Sequence, residues 1–510
     1  MKKIGLYTLS ALLSISVFYS CTDLEEELNQ NLTAEEAAIA GSASDALNAA
    51  YDRLKDFQHT DFMFVLMEHP SDEIAGPTRG ADWDDGGAWR ALHLHTWNSS
   101  HPRVVGSWGS ALSGLFRATE VLGFVPTDSE RAQATFLRSL FIYTATDLFG
   151  TVPIREPGED LAQLPSITAS RTEAIDIGIT ELEDQLANLP ATTNPAVANI
   201  YAGHALLAKM YLNRAVYKAT DADGTPQSGP FTFETADMNR VVELCDAIIN
   251  SGNYSLEDDY FSSFSPVNSE TSSEIIFVSQ NTNDFGGEIR RFNFMTLHYN
   301  QNPGSWNGFV TLSDFYDSFE DDDVRKSSEI PNLSENSGLT GGFLIGQQFD
   351  VNGAPLEDRL GNPLAFTPDF NLANSDEVRG IRVVKYQPDY TNINIPNQDF
   401  VFYRYADVLL MKAEALFRTG DVAGALTIVN TIRSMRNASA LAALTEADLL
   451  AERGRELYWE GHRRNDQIRF GTLLNPVQER STTSDRTKLV FPIPADALAT
   501  NPNLIQNPGY

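Results

Sequence analysis

Tyr405-Ala406-Asp407-Val408-Leu409-Leu410-Met411-Lys412-Ala413-Glu414-Ala415 opens a segment that reads as one helix over 405–418. Thr419-Gly420-Asp421 interrupts it, and a second helix is predicted over 422–437. Small residues recur at Ala413, Ala415, Ala423 and Ala425, where two antiparallel helices can approach closely. Just beyond, Thr445 stands three residues before Asp448, a capping-box start for a helix predicted to run to about 468.

The 405–437 pair has the pattern of a tetratricopeptide hairpin. Upstream, helices are predicted over 34–56, 107–124, 129–148, 171–188, 199–217 and 236–250. Trp108, Leu112, Leu115, Phe116 and Leu122 mark one face of the second; Gly150 and Pro153 stop the third. Pairing them in order with the 405–437 hairpin gives four helical hairpins stacked as a solenoid-like scaffold. From about 252 to 400 the composition shifts to Asn, Gly, Ser, Pro and Asp. Only short β-like runs remain there, such as Ile275-Ile276-Phe277-Val278 and Ile381-Arg382-Val383-Val384. The fold expected is therefore mainly α, with tetratricopeptide-like hairpins and a large irregular insertion of loops and short strands. Irregular segments of that length are usually functional.

The N-terminus reads as an export signal. Lys2 and Lys3 precede an apolar stretch, Ile4 to Tyr19, too short for a comfortable membrane span. It ends at Ser20-Cys21, placing Cys21 where a bacterial lipoprotein is acylated, although Phe18 and Tyr19 depart from the usual box. Asp23, Glu25, Glu26 and Glu27 follow, either a solvated leader or a sorting signal for the outer face of the outer membrane. The expected organisation is a signal peptide (1–20), a lipidated acidic leader (21–33), a helical part (34–251), the insertion (252–400) and a C-terminal part (401–510). Cys245 is the one other cysteine, so lipidation of Cys21 leaves no intrachain disulfide. The net charge of −32, or −34 once Lys2 and Lys3 are removed, argues against nucleic acid and leans toward neutral ligands.

Several stretches resemble one family, the SusD/RagB nutrient-binding lipoproteins of Bacteroidetes. The strongest is Glu452-Arg453-Gly454-Arg455-Glu456-Leu457-Tyr458-Trp459-Glu460-Gly461-His462-Arg463-Arg464-Asn465-Asp466, followed by Phe470-Gly471. The terminus is similar too, with Pro492-Ile493-Pro494 and then Asn501-Pro502-Asn503-Leu504 through Gln506-Asn507-Pro508-Gly509-Tyr510. So are the 405–415 segment, Phe136–Leu140 with Asp147–Gly150, and Ile249–Tyr254. The resemblance implies a lipid-anchored protein at the cell surface, acting as a lid on a SusC-like TonB-dependent outer-membrane transporter. Its cargo would be an oligosaccharide or, as for RagB-like members, a peptide.

Binding a sugar without catalysis requires flat aromatic faces and fixed polar groups. Gly80-Ala81-Asp82-Trp83-Asp84-Asp85-Gly86-Gly87-Ala88-Trp89-Arg90 sets two Trp among turn formers and resembles a loop carrying stacking aromatics in levan- and laminarin-type members. Trp83 and Trp89 are expected to stack, and Asp82, Asp84 and Arg90 to bond hydroxyls. A second cluster runs from Tyr299 through Trp306-Asn307-Gly308 to Phe309, with Tyr299 and Trp306 as rings and Asn307 as a polar contact. Core packing is the competing reading for each ring, and the one preferred for Trp97, Trp108 and Trp459. His93 and His95 would point one way on a strand and, with His101, invite a metal; polar or packing roles are preferred. His462 reads as a structural hydrogen-bonding residue. A calcium loop from Asp82-x-Asp84-x-Gly86 would place His93 where a Glu is needed, and Glu320–Asp323 is only an acidic run. No cofactor is expected. A glycosidase is the rival class, since two carboxylates suffice for hydrolysis, but abundant acids carry no specificity and no serine elbow, zinc or phosphate motif occurs.

Overall fold

A computed structural model describes residues 42–281 and 288–510. Cys21, the signal peptide, the acidic leader and the start of the 34–56 helix lie outside the described residues. No described helix is long and apolar enough to cross a membrane.

Between Ala43 and Tyr510 the scaffold is a succession of helices: α1 (Ala43–Asp52), α2 (Pro102–Gly123), α3 (Asp128–Phe149), α4 (Arg171–Gln185), α5 (Ile200–Lys218), α6 (Thr235–Ile249), α7 (Tyr405–Arg418) and α8 (Val422–Met435). Each packs on the next, so the four predicted hairpins form and stack. Local chemistry sets the starts. Thr127 with Glu130 and Ser170 with Glu173 build reciprocal capping boxes ahead of α3 and α4, and Asn199 caps α5. Gly114 on α2 lets α3 approach: a Cβ there would sit 2.2 Å from the Phe141 ring.

The insertion interrupts this stack without breaking it. The chain leaves after α6, and α7 returns to pack directly on α6. The neck is zipped by two antiparallel strands, Ile275–Ser279 and Phe400–Arg404, with Ile275 opposite Arg404 and Ser279 opposite Phe400. Both predicted β-like runs are strands; Arg382–Val384 pairs with Gly341–Leu344. The rest is short helices, loops and the two-residue strands Ser327–Ser328, Gly346–Gln347 and Ala365–Phe366.

One helix differs from expectation. The capping box of Thr445 and Asp448 forms, but the helix ends at Leu457 (α9, Glu446–Leu457) and resumes as α10 (Arg463–Arg469). Trp459 and Gly461 take positive φ, +58° and +81°, and turn the chain between them. Two buried carboxylates of the Met63–Glu68 helix and its following loop hold that turn. Glu68 accepts from the Gly461 amide (2.6 Å) and Glu73 from the Trp459 amide (3.1 Å).

The turn lets one segment grip two sides. Glu452, Glu456 and Glu460 face the insertion. Glu456 accepts from Arg404 (2.8 Å), Arg325 (2.9 Å) and Arg436 (3.0 Å). Glu460 accepts from Lys385 (2.7 Å) and Arg404 (2.8 Å), and Glu452 from Arg325 (2.7 Å) and Arg433 (2.8 Å). On the other side, Arg453 and Arg469 meet Asp466, Asp407 and Glu414, tying α9 and α10 to α7. His462 bonds the Lys209 ammonium of α5 at 2.9 Å, a structural role. His462 is half-buried and, with burial pushing it down to about 4, neutral; the charges are all buried, and each is paired, the condition under which buried ions are tolerated.

Candidate functional site

Two loops distant in sequence are pinned side by side. Ala75 and Val310 exchange backbone hydrogen bonds at 2.9 Å, and Thr311 bridges to Ile381. These anchors bring the 80–90 loop, the 299–309 loop and the 357–380 loops together. Trp83, half-buried, donates its indole N–H to the Trp306 carbonyl at 2.7 Å. Its ring lies over Gly308, where a Cβ would stand 2.2 Å from the indole. Trp83 and Asn307 both occupy left-handed backbone, φ +64° and +54°, a strain held by the surrounding packing. Trp306 is 39% exposed. Its ring meets the edge of Phe294 at 5.4 Å and the Arg291 guanidinium at 5.6 Å, which fix its orientation.

A polar rim adjoins the rings. The Tyr299 hydroxyl donates to Asp82 at 2.8 Å, and the Arg359 guanidinium lies 3.8 Å over the Tyr299 ring. Arg359 also pairs with Asp82 (3.4 Å) and with Glu377. Beneath, buried His298 donates through Nε2 to Glu377 (3.1 Å) and accepts the Asn300 amide at Nδ1 (3.1 Å). Burial pushes His298 down to about 4, so the ring is neutral at pH 7 and this tautomer is fixed.

Of the predicted residues, Trp83, Trp306, Tyr299 and Asp82 thus converge. Three others are placed differently. Trp89 is only 1% exposed, between Phe309 (5.0 Å) and His69 (5.4 Å), with its indole N–H on Asp85; it buttresses Trp83 and offers no face to a ligand. It lies in the first turn of the short helix Ala88–His93, whose buried residues also include Leu92 and His93. Asn307 is fully buried, accepting from Arg382 at 2.8 Å and donating to the Glu377 carbonyl at 3.0 Å. It is a strut of the loop. Arg90 is engaged by Asp84 (2.8 Å) and Thr78. The histidines are not on a strand. His93, His95 and His101 are buried on the carbonyls of Gln478, Pro70 and Ala88. In the acidic run, Glu320, Asp321 and Asp323 are spent on Arg433, Lys326 and Arg325. Among the described residues no group of three or more His, Cys, Asp or Glu could hold a metal ion. Trp97, Trp108 and Trp459 are core, as expected.

Residues 273–510 match the model of the SusD family. That match takes in the C-terminal 238 of the 510 residues. Over 446 residues it is 26% identical to the starch-binding protein SusD of Bacteroides thetaiotaomicron, an alignment spanning 77% of this chain and 75% of that one. Among solved structures, a SusD superfamily protein from Parabacteroides distasonis superposes with a TM-score of 0.69 at 20% identity, covering 94% of this chain and all of the other. A laminarin-binding SusD-like protein gives 0.68 at 20% identity, covering 92% and 99%. At such identities the structural likeness is one of fold.

Sequence reasoning missed Arg359, Glu377 and His298. Their segments carry no periodicity or motif, and only the folded loops bring them to the rings. Partial burial works against ionisation of Glu377, yet hydrogen bonds from Arg359 and His298 hold it below the usual carboxylate range. Glu377 is therefore an engaged acceptor, shifted away from the raised, protonated acid that glycoside hydrolysis uses.

Proposed function

We propose that this protein captures neutral oligosaccharides at the platform of Trp306, Trp83, Tyr299, Asp82 and Arg359. The observation that carries the reading is the exposed Trp306 ring, oriented by Phe294 and Arg291 and locked to Trp83, beside a fixed rim of donors and acceptors. A flat ring takes the C–H face of a sugar while charged and hydroxyl groups at its edge take the hydroxyls. The relatives named for starch and laminarin binding support that ligand class. The engagement of Glu377 by Arg359 and His298 supports binding rather than hydrolysis. The protein is further proposed to be exported, anchored by lipid on Cys21 at the outer-membrane surface, and to pass its cargo to a SusC-like TonB-dependent transporter, the setting its family implies.

Calorimetry against neutral glycans, anionic glycans and peptides tests this. Saturable binding of a neutral glycan with no release of reducing ends is expected. Binding confined to peptides, or turnover that disappears when Glu377 or Asp82 is neutralised, would contradict it.

A further inference from the structure

A cleft of substantial volume lies away from the platform. It has a volume of about 810 Å³ and lies between the 194–196 turn, the 265–270 segment and the 387–399 loop. That size falls in the range of ligand-binding clefts, roughly 300–1,000 Å³. Its walls are unusual. Carboxamides dominate: Asn194, Gln280, Asn281, Asn332, Gln387 and Asn397. Asp389 and Asp399 are buried beside them, and among the described residues no basic side chain lines it.

Much of this polar surface is uncommitted. Gln280 and Asn397 are exposed and make no side-chain hydrogen bond among the described residues. Asn194 uses its side-chain oxygen on the Ala196 amide, which leaves its two N–H donors open. The Ser265 hydroxyl oxygen is buried with no partner. Other groups are rigid supports. Asn281 bonds Gln58 and the Gln398 carbonyl, and Asn332 bonds Gln387. A carboxamide offers a donor and an acceptor side by side, which matches adjacent hydroxyls on a sugar ring. The absence of a lining cation disfavours anionic ligands.

The cleft is also joined to the platform. Phe294, which meets the Trp306 ring, lines a small cavity with Arg290, Pro303, Gln387 and Asp389. Gln387 and Asp389 belong to the cleft wall as well. Tyr390 donates its hydroxyl to the Asn302 carbonyl at 2.9 Å, tying the 387–399 loop to the loop that carries Trp306.

We propose that this amide-lined cleft is a second saccharide subsite, continuous with the platform, that recognises neutral chains too long for the platform alone. This rests on the glycan reading above. Its effect is length selectivity: the platform supplies stacking, and the cleft supplies hydroxyl recognition further along the chain.

The test is a titration of the full chain with neutral oligosaccharides of graded length, disaccharide to octasaccharide, of whichever linkage binds. The probe variant is Gln280→Ala/Asn397→Ala, in which neither side chain supports the fold; unchanged unfolding midpoints verify this. Wild type should bind longer chains more tightly. The double variant should match it on the shortest ligands and fall about fivefold or more on the longest. Equal affinity of variant and wild type at every length, or an equal loss at every length, overturns the subsite while leaving the platform standing. Wild type that gains nothing with length overturns it also. If wild type binds no neutral oligosaccharide at all, the platform reading fails and the subsite with it.

Discussion

The ion-pair hub around Glu456 and the platform around Trp306 are both rich in Arg and carboxylate, and both draw on the irregular insertion. They differ in water. In the hub, Arg325, Arg404, Arg436, Glu452 and Glu456 are all buried, and each charge is answered by several others. At the platform, Arg359 and Asp82 each keep 46% of their side-chain surface exposed, and Trp306 is open. The same residue types therefore do different things. A desolvated, saturated network specifies how the insertion docks on the helices, whereas a half-solvated one stays available to exchange partners with a ligand.

Breaking the hub should have the largest effect. Glu456→Ala leaves three buried guanidiniums short of an acceptor and should cost about 3 kcal/mol or more, read by chemical denaturation. Glu456→Gln, which keeps an acceptor, should cost less. A near-neutral Glu456→Ala would show that the hub is not what joins the two parts.

An intermediate effect is expected from Gly308→Ala. The added methyl must displace the Trp83 ring, a clash of about 1–3 kcal/mol. Because Trp83 also holds the Trp306 carbonyl, glycan affinity should fall together with stability. Retained affinity would uncouple the two rings.

An effect confined to a change of pH sharpens the hub's edge. Glu68 and Glu73 are both buried, and each has one oxygen that makes no hydrogen bond, with Arg463 3.9 Å from that of Glu73. Burial pushes Glu68 up to about 8 and Glu73 in the same direction, so the pair retains a proton in the fold. A carboxyl raised this way contributes its full stability below the unfolded value near 4.5 and loses it as pH rises through 8. Glu68→Gln cannot ionise and keeps the acceptor for Gly461. Its stability relative to wild type should therefore rise steadily between pH 5 and pH 8. A constant difference would mean that the pair is ionised throughout.

The contrast also explains what could be read from the chain. Helices were legible because apolar spacing and punctuation are local: Gly150 ends α3 and Thr445 with Asp448 starts α9. The 452–466 segment was legible as a family signature, and its job proves to be the hub rather than the ligand. The break at Tyr458–Gly461 was not legible, because it depends on Glu68 and Glu73 holding amides nearly 400 residues away. In the 80–90 loop both Trp were expected at the ligand. Trp89 sits with Leu92 and His93 at helical spacing, a signal for the inward face, whereas Trp83 precedes that helix. Asn307 looked like a free polar contact until Arg382 was found against it. Arg359 and Glu377 had no local signal, since only the tertiary structure gives them Tyr299 and His298.

The most direct test is Trp306→Ala measured twice, by calorimetry with the tightest neutral glycan and by thermal unfolding. A loss of at least about tenfold in affinity, near 1.4 kcal/mol, with the unfolding midpoint essentially unmoved, is the predicted result. Unchanged affinity in a folded Trp306→Ala protein would contradict the account and place the ligand elsewhere.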